Sequence, residues 1–86
     1  MHHVEWMPKA YKQMRRFPLS EQARIIQAVD GLSDWPDCRN VAMLTDRPGQ
    51  YRLRVGRYRV IFRAIPDGRM VLLRIEEVKK RDEHTY

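Results

Sequence analysis

The stretch YRLRVGRYRV, residues 51–60, constrains the fold of this chain more than any other feature. Apolar side chains alternate with arginines on both sides of Gly56-Arg57, and this period of two is typical of β-strands. A two-residue loop with glycine first is typical of a type II′ turn, which joins antiparallel strands in one register. The predicted register pairs residue 55 with 58, 53 with 60 and 51 with 62.

The same register gathers three arginines on one face of the hairpin. Arg54 is predicted to lie directly opposite Arg59, and Arg52 one step away. Like charges directly opposite each other destabilise a sheet. One interpretation is a site kept for an anion such as phosphate, which guanidinium groups bind in a fork geometry. The alternative is a solvated face whose arginines are neutralised by acids from elsewhere, such as Glu76 or Glu77.

The remaining pattern predicts one domain over residues 1–86, with the element order β-α-α-β-β-β. Helices are predicted over 8–17 and 21–30, with Ser20 as an N-cap and Gly31 as a left-handed C-terminal residue. Residues 33–49 are turn-rich and are expected to form an irregular connection. Strands are predicted over 2–6, 50–55, 58–65 and 69–78.

Each predicted helix has a single apolar stripe, so both helices should pack as a hairpin on one face of the sheet. The predicted fold class is therefore α+β, with an antiparallel twisted sheet whose second face stays open. The three arginines belong to that open face.

The composition favours a polyanionic partner. The chain has a net charge of +6 and its apolar runs are far shorter than the ~20 residues that a membrane span needs. Nucleic acid, an anionic membrane surface and an acidic protein are all compatible with this charge. The single cysteine, Cys38, excludes an intrachain disulfide and fits a cytoplasmic protein.

The element order, the hairpin YRLRVGRYRVIF and the ending VKKRDEHTY resemble the RelE/ParE superfamily of small bacterial toxins. The resemblance implies the toxin of a type II toxin–antitoxin system. RelE-type members are metal-independent, ribosome-dependent endoribonucleases that need no cofactor. In these enzymes the 2′-hydroxyl of the mRNA attacks the adjacent phosphate, which leaves a cyclic phosphate and a 5′-hydroxyl.

The resemblance also implies the partners. They are a cognate antitoxin protein and mRNA in the ribosomal A site, with contacts to 16S rRNA. Operator DNA would be bound only indirectly, through the antitoxin, and no membrane is involved.

Site residues carry over by position. The basic pair of the second strand falls on Arg52 and Arg54, and the arginine of the third strand falls on Arg59. The basic residue after the last strand falls on Lys80 or Arg81, and the late tyrosine that stacks on a base falls on Tyr86. Some relatives place a histidine or carboxylate in the terminal segment. The candidate catalytic residues are thus Arg52, Arg54, Arg59, Lys80, Arg81, His84 and Tyr86.

One departure from the family changes the expected chemistry. This chain has arginines where the family pattern has lysines in the second strand, and an arginine cannot act as a base because its pKa exceeds ~12. The arginines are therefore interpreted as phosphate clamps. Proton transfer would come from His84, whose ordinary pKa is ~6.5, or from Glu83 or Asp82. Alternatively, the ribosome supplies most of the rate by arranging the mRNA.

Two other functions are compatible with the same resemblance. The first is a ParE-like toxin that poisons DNA gyrase without nuclease activity, and the second is an inactive RNA-binding relative. ParE-type chains generally lack the phosphate-binding arginines together with the terminal tyrosine, and this favours the nuclease.

Overall fold

The computed structural model of the chain describes residues 2–81. The predicted α+β architecture is confirmed, with two helices and a twisted sheet. No helix in this part of the chain is long and apolar enough to cross a membrane. The elements are β1 (His3–Trp6), α1 (Pro8–Met14), α2 (Leu19–Asp30), a 3-10 helix (Gly31–Asp34), β2 (Val41–Met43), β3 (Gln50–Val55), β4 (Tyr58–Asp67) and β5 (Met70–Lys80).

The sheet has five strands in the order β1-β5-β4-β3-β2. Strands β2 to β5 form an antiparallel meander, whereas β1 pairs in parallel with β5. The prediction of an antiparallel sheet is therefore wrong for this one pair. Three hairpins join β2, β3, β4 and β5, so the strand direction reverses three times between β2 and β5. Because β2 runs opposite to β1, β5 runs in the same direction as β1.

Strand β2 lies inside the segment predicted to be irregular. Its three residues, Val41–Met43, pair with Leu53, Arg52 and Tyr51 of β3. Asn40 precedes the strand with a φ of 62°, a left-handed conformation that asparagine adopts more readily than most residues. A strand of three residues is too short for the alternation of apolar and polar side chains to be recognised in the sequence, so β2 is identified only by its pairing with β3.

The helix ends differ from the prediction in three ways. Helix α1 ends at Met14, and the chain turns through residues 15–17 before α2 begins. Pro18 occupies the N-cap position of α2 instead of Ser20, and the Gln22 side chain donates to the Phe17 carbonyl at 2.8 Å. Gly31 has a φ of −64°, so the chain continues into the 3-10 helix. The predictions for Ser20 and Gly31 are wrong: α2 begins at Leu19, so Ser20 lies inside the helix, and the backbone at Gly31 stays right-handed.

The core lies between the helices and one face of the sheet. Each large apolar side chain buried there contributes roughly 1.5–3 kcal/mol. Trp35 closes one end of the core by packing edge-on against Tyr51 and Phe62, with ring centroids 4.8 and 5.7 Å away. The fully buried members include Ala10, Met14, Ile25, Val29, Val60, Phe62, Leu73 and Ile75.

Helix α1 also covers the edge of β5 beyond the end of β1. The Val78 amide donates to the Gln13 side-chain oxygen at 2.8 Å, and the Met7 amide donates to the Ile75 carbonyl at 2.9 Å. These bonds satisfy strand groups that would otherwise be exposed at an edge. They also bring α1 to the border of the sheet face that the helices leave open.

Candidate nucleic-acid interface

The β3–β4 hairpin has the predicted register. Val55 pairs with Tyr58, and Gly56 has a φ of 56°, as the first position of a type II′ turn requires. Arg54 therefore lies opposite Arg59, and Arg52 lies opposite Ile61. All of these arginines are on the face away from the core.

Strand β5 adds a third cation that the sequence analysis missed. Lys79 pairs with Arg59, so a row of positive charge crosses three strands as Arg54, Arg59 and Lys79. We call these three residues the cationic row. The sequence did contain an indication of this position. Ile75 and Val78 are apolar residues three apart, whereas residues on one face of a regular strand are two apart, so the alternation that assigns Lys79 to a face is shifted between them.

The two cations predicted near the end of β5 have different positions. Lys80 pairs with the buried Tyr58 and therefore belongs to the helix-covered side, although it is itself exposed. Arg81 follows the strand, and its amide donates to the Arg57 carbonyl in the hairpin turn. The structure thus brings Arg81 to the hairpin end of the sheet and leaves Lys80 out of the cationic row.

A β-bulge places two consecutive acids on the open face. Ile61 pairs with Glu77 while Phe62 pairs with Ile75, so Glu76 is the extra residue. Glu76 accepts a hydrogen bond from Gln50 at 2.7 Å and lies 3.6 Å from Arg63.

Glu77 forms its own pair of contacts. Its carboxylate lies 3.0 Å from the Lys9 ammonium and 3.7 Å from that of Lys79. The hydrogen bond from Lys9 is the main cause that lowers the pKa of Glu77, with smaller contributions from the charges of Lys79, Lys9 and Arg47 and a partial opposing effect of burial. Glu77 is therefore ionised at neutral pH.

The acids that could have neutralised the arginine cluster are thus engaged elsewhere. Within residues 2–81, no carboxylate lies within 4.0 Å of the guanidinium groups of Arg52, Arg54 or Arg59. The Nε atoms of Arg52 and Arg59 are buried and have no hydrogen-bond acceptor in this part of the chain. The alternative of a face neutralised by Glu76 or Glu77 is wrong for these three arginines.

Arg54 stands at the outer end of the row. It is exposed and lines two shallow cavities of about 380 and 350 Å³ between α2 and the edge of β3. The larger cavity also contains Cys38, whose thiol pKa is raised by burial and then by the charges of Asp34 and Asp37.

The remaining predicted residues, Asp82, Glu83, His84 and Tyr86, lie outside the described residues. The last described residue, Arg81, is tied to the hairpin turn next to the cationic row. Arg81 therefore lies at the end of the sheet where Arg54 and Arg59 are gathered.

Known structures with the same arrangement were identified by comparison. No protein-family model and no curated protein matches the chain significantly. The RelBE2 toxin–antitoxin complex from Mycobacterium tuberculosis contains a chain that is 25% identical, with a TM-score of 0.75 over 93% of this chain and 98% of that one. The archaeal RelE–RelB complex from Pyrococcus horikoshii gives 24% identity and a TM-score of 0.77 over 95% and 97%.

The isolated E. coli RelE toxin is 15% identical and has a TM-score of 0.76 over 99% of this chain and 89% of that one. The protein has the RelE-like toxin fold. Its five-stranded twisted sheet and its two helices match the RelE-like structures, and the cationic row lies on the sheet face opposite the helices.

Proposed function

We propose that this RelE-like protein is the toxin of a type II toxin–antitoxin system and a metal-independent, ribosome-dependent endoribonuclease that cleaves mRNA in the cytoplasm. The observation that carries this proposal is the pairing of Arg54 with Arg59 on an open sheet face, with no neutralising carboxylate among residues 2–81. Such an arrangement is unfavourable until an anion binds. A phosphodiester group of RNA supplies that anion.

The cationic row suits the transition state of 2′-hydroxyl attack. The attacked phosphate gains negative charge as it becomes five-coordinate, and cations already in place stabilise this charge without reorganising. Arg59 of the row and Arg52 beside it contribute forked donors, and a bound phosphate would provide acceptors where their buried Nε–H groups have none among the described residues.

Lys79 joins Arg52, Arg54 and Arg59 in this proposal, in place of Lys80. Its Cα partner is Arg59, whereas Lys80 is on the other side of the strand. Lysine carries a compact, movable charge that follows a phosphate as its geometry changes. We assign Lys79 and Arg81 to phosphate contacts.

Proton transfer requires another group, because arginine stays protonated. His84 is the first candidate for the base or acid, and Glu83 and Asp82 are the alternatives. Tyr86 is assigned to stacking on a base of the mRNA. These roles rest on the family resemblance and on the position of Arg81, from which the terminal segment starts beside the row.

The proposed regulator is a cognate antitoxin. The similar structures from M. tuberculosis and P. horikoshii are both toxin–antitoxin complexes. An antitoxin that covers the open face would block access of mRNA to the cationic row. Binding to operator DNA would then occur only through the antitoxin.

Primer extension on mRNA from cells that express the protein tests the proposal. Cuts confined to translated regions, and absent when translation initiation is blocked, are the expected result. Intact mRNA with double-strand DNA breaks would instead identify the ParE-like gyrase poison. Intact mRNA and intact DNA would identify an inactive RNA-binding relative.

A further inference from the structure

Glu77 is an ionised carboxylate beside the cationic row that the proposed reaction does not yet use. It pairs with Ile61, and Ile61 pairs on its other side with Arg52. Arg52, Ile61 and Glu77 therefore form a second row on the open face, two residues or roughly 7 Å from the cationic row along each strand. A phosphate held by Arg52 and Arg59 would have this carboxylate on its β5 side.

The two oxygens of the Glu77 carboxylate have different surroundings. Oε1 lies 3.0 Å from the Lys9 ammonium, which is within hydrogen-bond length. Oε2 lies 3.7 Å from the ammonium of Lys79, an ion-pair contact that is too long for a hydrogen bond. Lys9 therefore holds the carboxylate through one oxygen, and the other oxygen, on the side of the cationic row, is left to accept a proton.

Of the two acids at the β-bulge, only Glu77 lies next to the cationic row. Its side chain is 19% exposed, so a ligand on the open face can reach it. The carboxylate of Glu76 instead accepts a hydrogen bond from Gln50 at 2.7 Å and lies 3.6 Å from Arg63. Glu76 thus belongs to the neutralised part of the face and serves as an internal comparison for its neighbour.

Binding of RNA would change the proton affinity of Glu77. The hydrogen bond from Lys9 is the main cause that lowers its pKa, burial opposes this, and the charges of Lys79, Lys9 and Arg47 lower the pKa further. A phosphate bound to Lys79 would neutralise one of these charges and add negative charge beside the carboxylate. Both changes raise the pKa of Glu77, and a carboxylate with a higher pKa is a better base.

We propose that Glu77 is the general base that takes the proton of the 2′-hydroxyl as this oxygen attacks the phosphate; this rests on the proposed endoribonuclease function. The O2′–P bond forms, and the P–O5′ bond breaks with its electron pair on the 5′-oxygen. The 2′ proton passes to the carboxylate of Glu77. The leaving 5′-oxygen takes its proton from a separate acid, for which His84 remains the first candidate, and the products are the cyclic phosphate and the 5′-hydroxyl.

The test compares Glu77→Gln with the wild type in single-turnover cleavage of mRNA on saturating ribosomes. Glutamine has the shape of glutamate and can still accept a hydrogen bond from Lys9, but it cannot take a proton at neutral pH. The rate should fall by about 10²- to 10⁴-fold, the usual contribution of a positioned base. The matched control, Glu76→Gln, removes the same charge from the adjacent residue and should stay within about twofold of the wild type. Equal rates for the two variants would overturn the proposal.

An mRNA with sulfur in place of the leaving 5′-oxygen separates a base from an acid. A thiolate leaves without being protonated, because the ordinary pKa of a thiol is only ~8.5. Glu77→Gln should therefore remain as slow, relative to the wild type, on this mRNA as on the normal one. Recovery of the wild-type rate on the sulfur-containing mRNA would overturn the proposal and make Glu77 the acid. The ratio of the two rates from one preparation is independent of the fraction of folded protein.

A variant of Lys79 separates proton transfer from the positioning of a neighbour. If Glu77 acted only by holding Lys79, adding Glu77→Gln to a Lys79→Gln variant would slow cleavage no further. As the base, Glu77 should still contribute at least about tenfold to the rate in that background. The absence of any further loss in the double variant would overturn the proposal.

Failure of the proposed function is distinguishable from these outcomes. If the wild-type protein cleaves no ribosome-bound mRNA, the nuclease proposal fails and the base falls with it. If the wild type cleaves and Glu77→Gln is as fast as Glu76→Gln, only the assignment of the base fails.

Discussion

The two ends of the open sheet face contain the same like-charged arrangement with different neighbours. At one end Arg63 pairs across the strands with Arg74, and each lies within 4 Å of a glutamate, at 3.6 Å from Glu76 and 3.8 Å from Glu5. At the other end Arg54 pairs with Arg59, and no carboxylate among residues 2–81 approaches either one. The two ends therefore differ in whether a carboxylate lies within ion-pair distance, although the buried Nε of Arg74, like that of Arg59, has no hydrogen-bond partner among residues 2–81.

The largest expected effect is the loss of activity in Arg59→Ala. Removing a preorganised donor from a charge-stabilising site typically costs about 10²- to 10³-fold in rate. Cleavage of ribosome-bound mRNA should fall by that factor while circular dichroism shows a folded protein. The matched variant Arg63→Ala removes an arginine from the neutralised end and should change cleavage less than about threefold. Equal losses in the two variants would contradict the division of the face.

The next effect concerns the terminal aromatic ring. Base stacking on an aromatic side chain contributes ~1–3 kcal/mol, so Tyr86→Ala should slow cleavage about 10- to 100-fold. Tyr86→Phe keeps the ring and should stay close to the wild type. Single-turnover rates of both variants measure this. A Tyr86→Phe variant as slow as Tyr86→Ala would show that the hydroxyl, and not the stacking surface, is needed.

A smaller effect is expected at the neutralised end, and on stability instead of activity. Glu76→Gln weakens the interactions with Gln50 and Arg63, and the free energy of unfolding should fall by about 1 kcal/mol. Urea denaturation measures the change, and cleavage should remain within about twofold of the wild type. A strong loss of cleavage with unchanged stability would place Glu76 in the reaction.

The smallest effect is a pH dependence at the boundary between the two ends. The pKa of Glu77 is lowered in the folded protein, chiefly by the hydrogen bond from Lys9. Its contribution to stability is therefore present above the ordinary glutamate pKa of ~4.3 and is lost as the pH falls through the lowered value.

Lys9→Gln should accordingly be less stable than the wild type at pH 7, by under about 1 kcal/mol, and the difference should shrink below about pH 4. Urea denaturation from pH 7 to pH 3 measures this. Lys12→Gln is the control, since Lys12 has no ion pair in the described part of the chain. A difference that persists at pH 3 would mean that Lys9 stabilises the fold without Glu77.

The hairpin was predictable because a two-residue turn fixes every pairing along β3 and β4. Arg54 opposite Arg59 followed from the position of Gly56 alone. The pairing of β5 was not predictable in the same way, since the bulge at Glu76 changes which residues share a face. Lys79 was missed for that reason, and the basic residue after the last strand was predicted to be Lys80 or Arg81.

The helix ends and β2 depend on distant partners. Gln22 is an ordinary helix residue by propensity, and only the folded chain brings its amide to the Phe17 carbonyl. The separation of the open face into two ends was likewise hidden, because it depends on which acid each arginine reaches. The alternation along the hairpin predicts the arginine cluster, whereas the acid that each arginine reaches is determined by the folded chain.

The bulge in β5 has a consequence for alignment with relatives. Arg74 and Lys79 are an odd number of residues apart and still share one face, because Glu76 resets the alternation. A relative without this extra residue, aligned from the amino end of the strand without a gap, would have its counterpart of Lys79 matched to Val78, on the opposite side of the strand. Equivalent positions in β5 should therefore be identified by their cross-strand partners in β4, whose register is fixed by the Gly56-Arg57 turn.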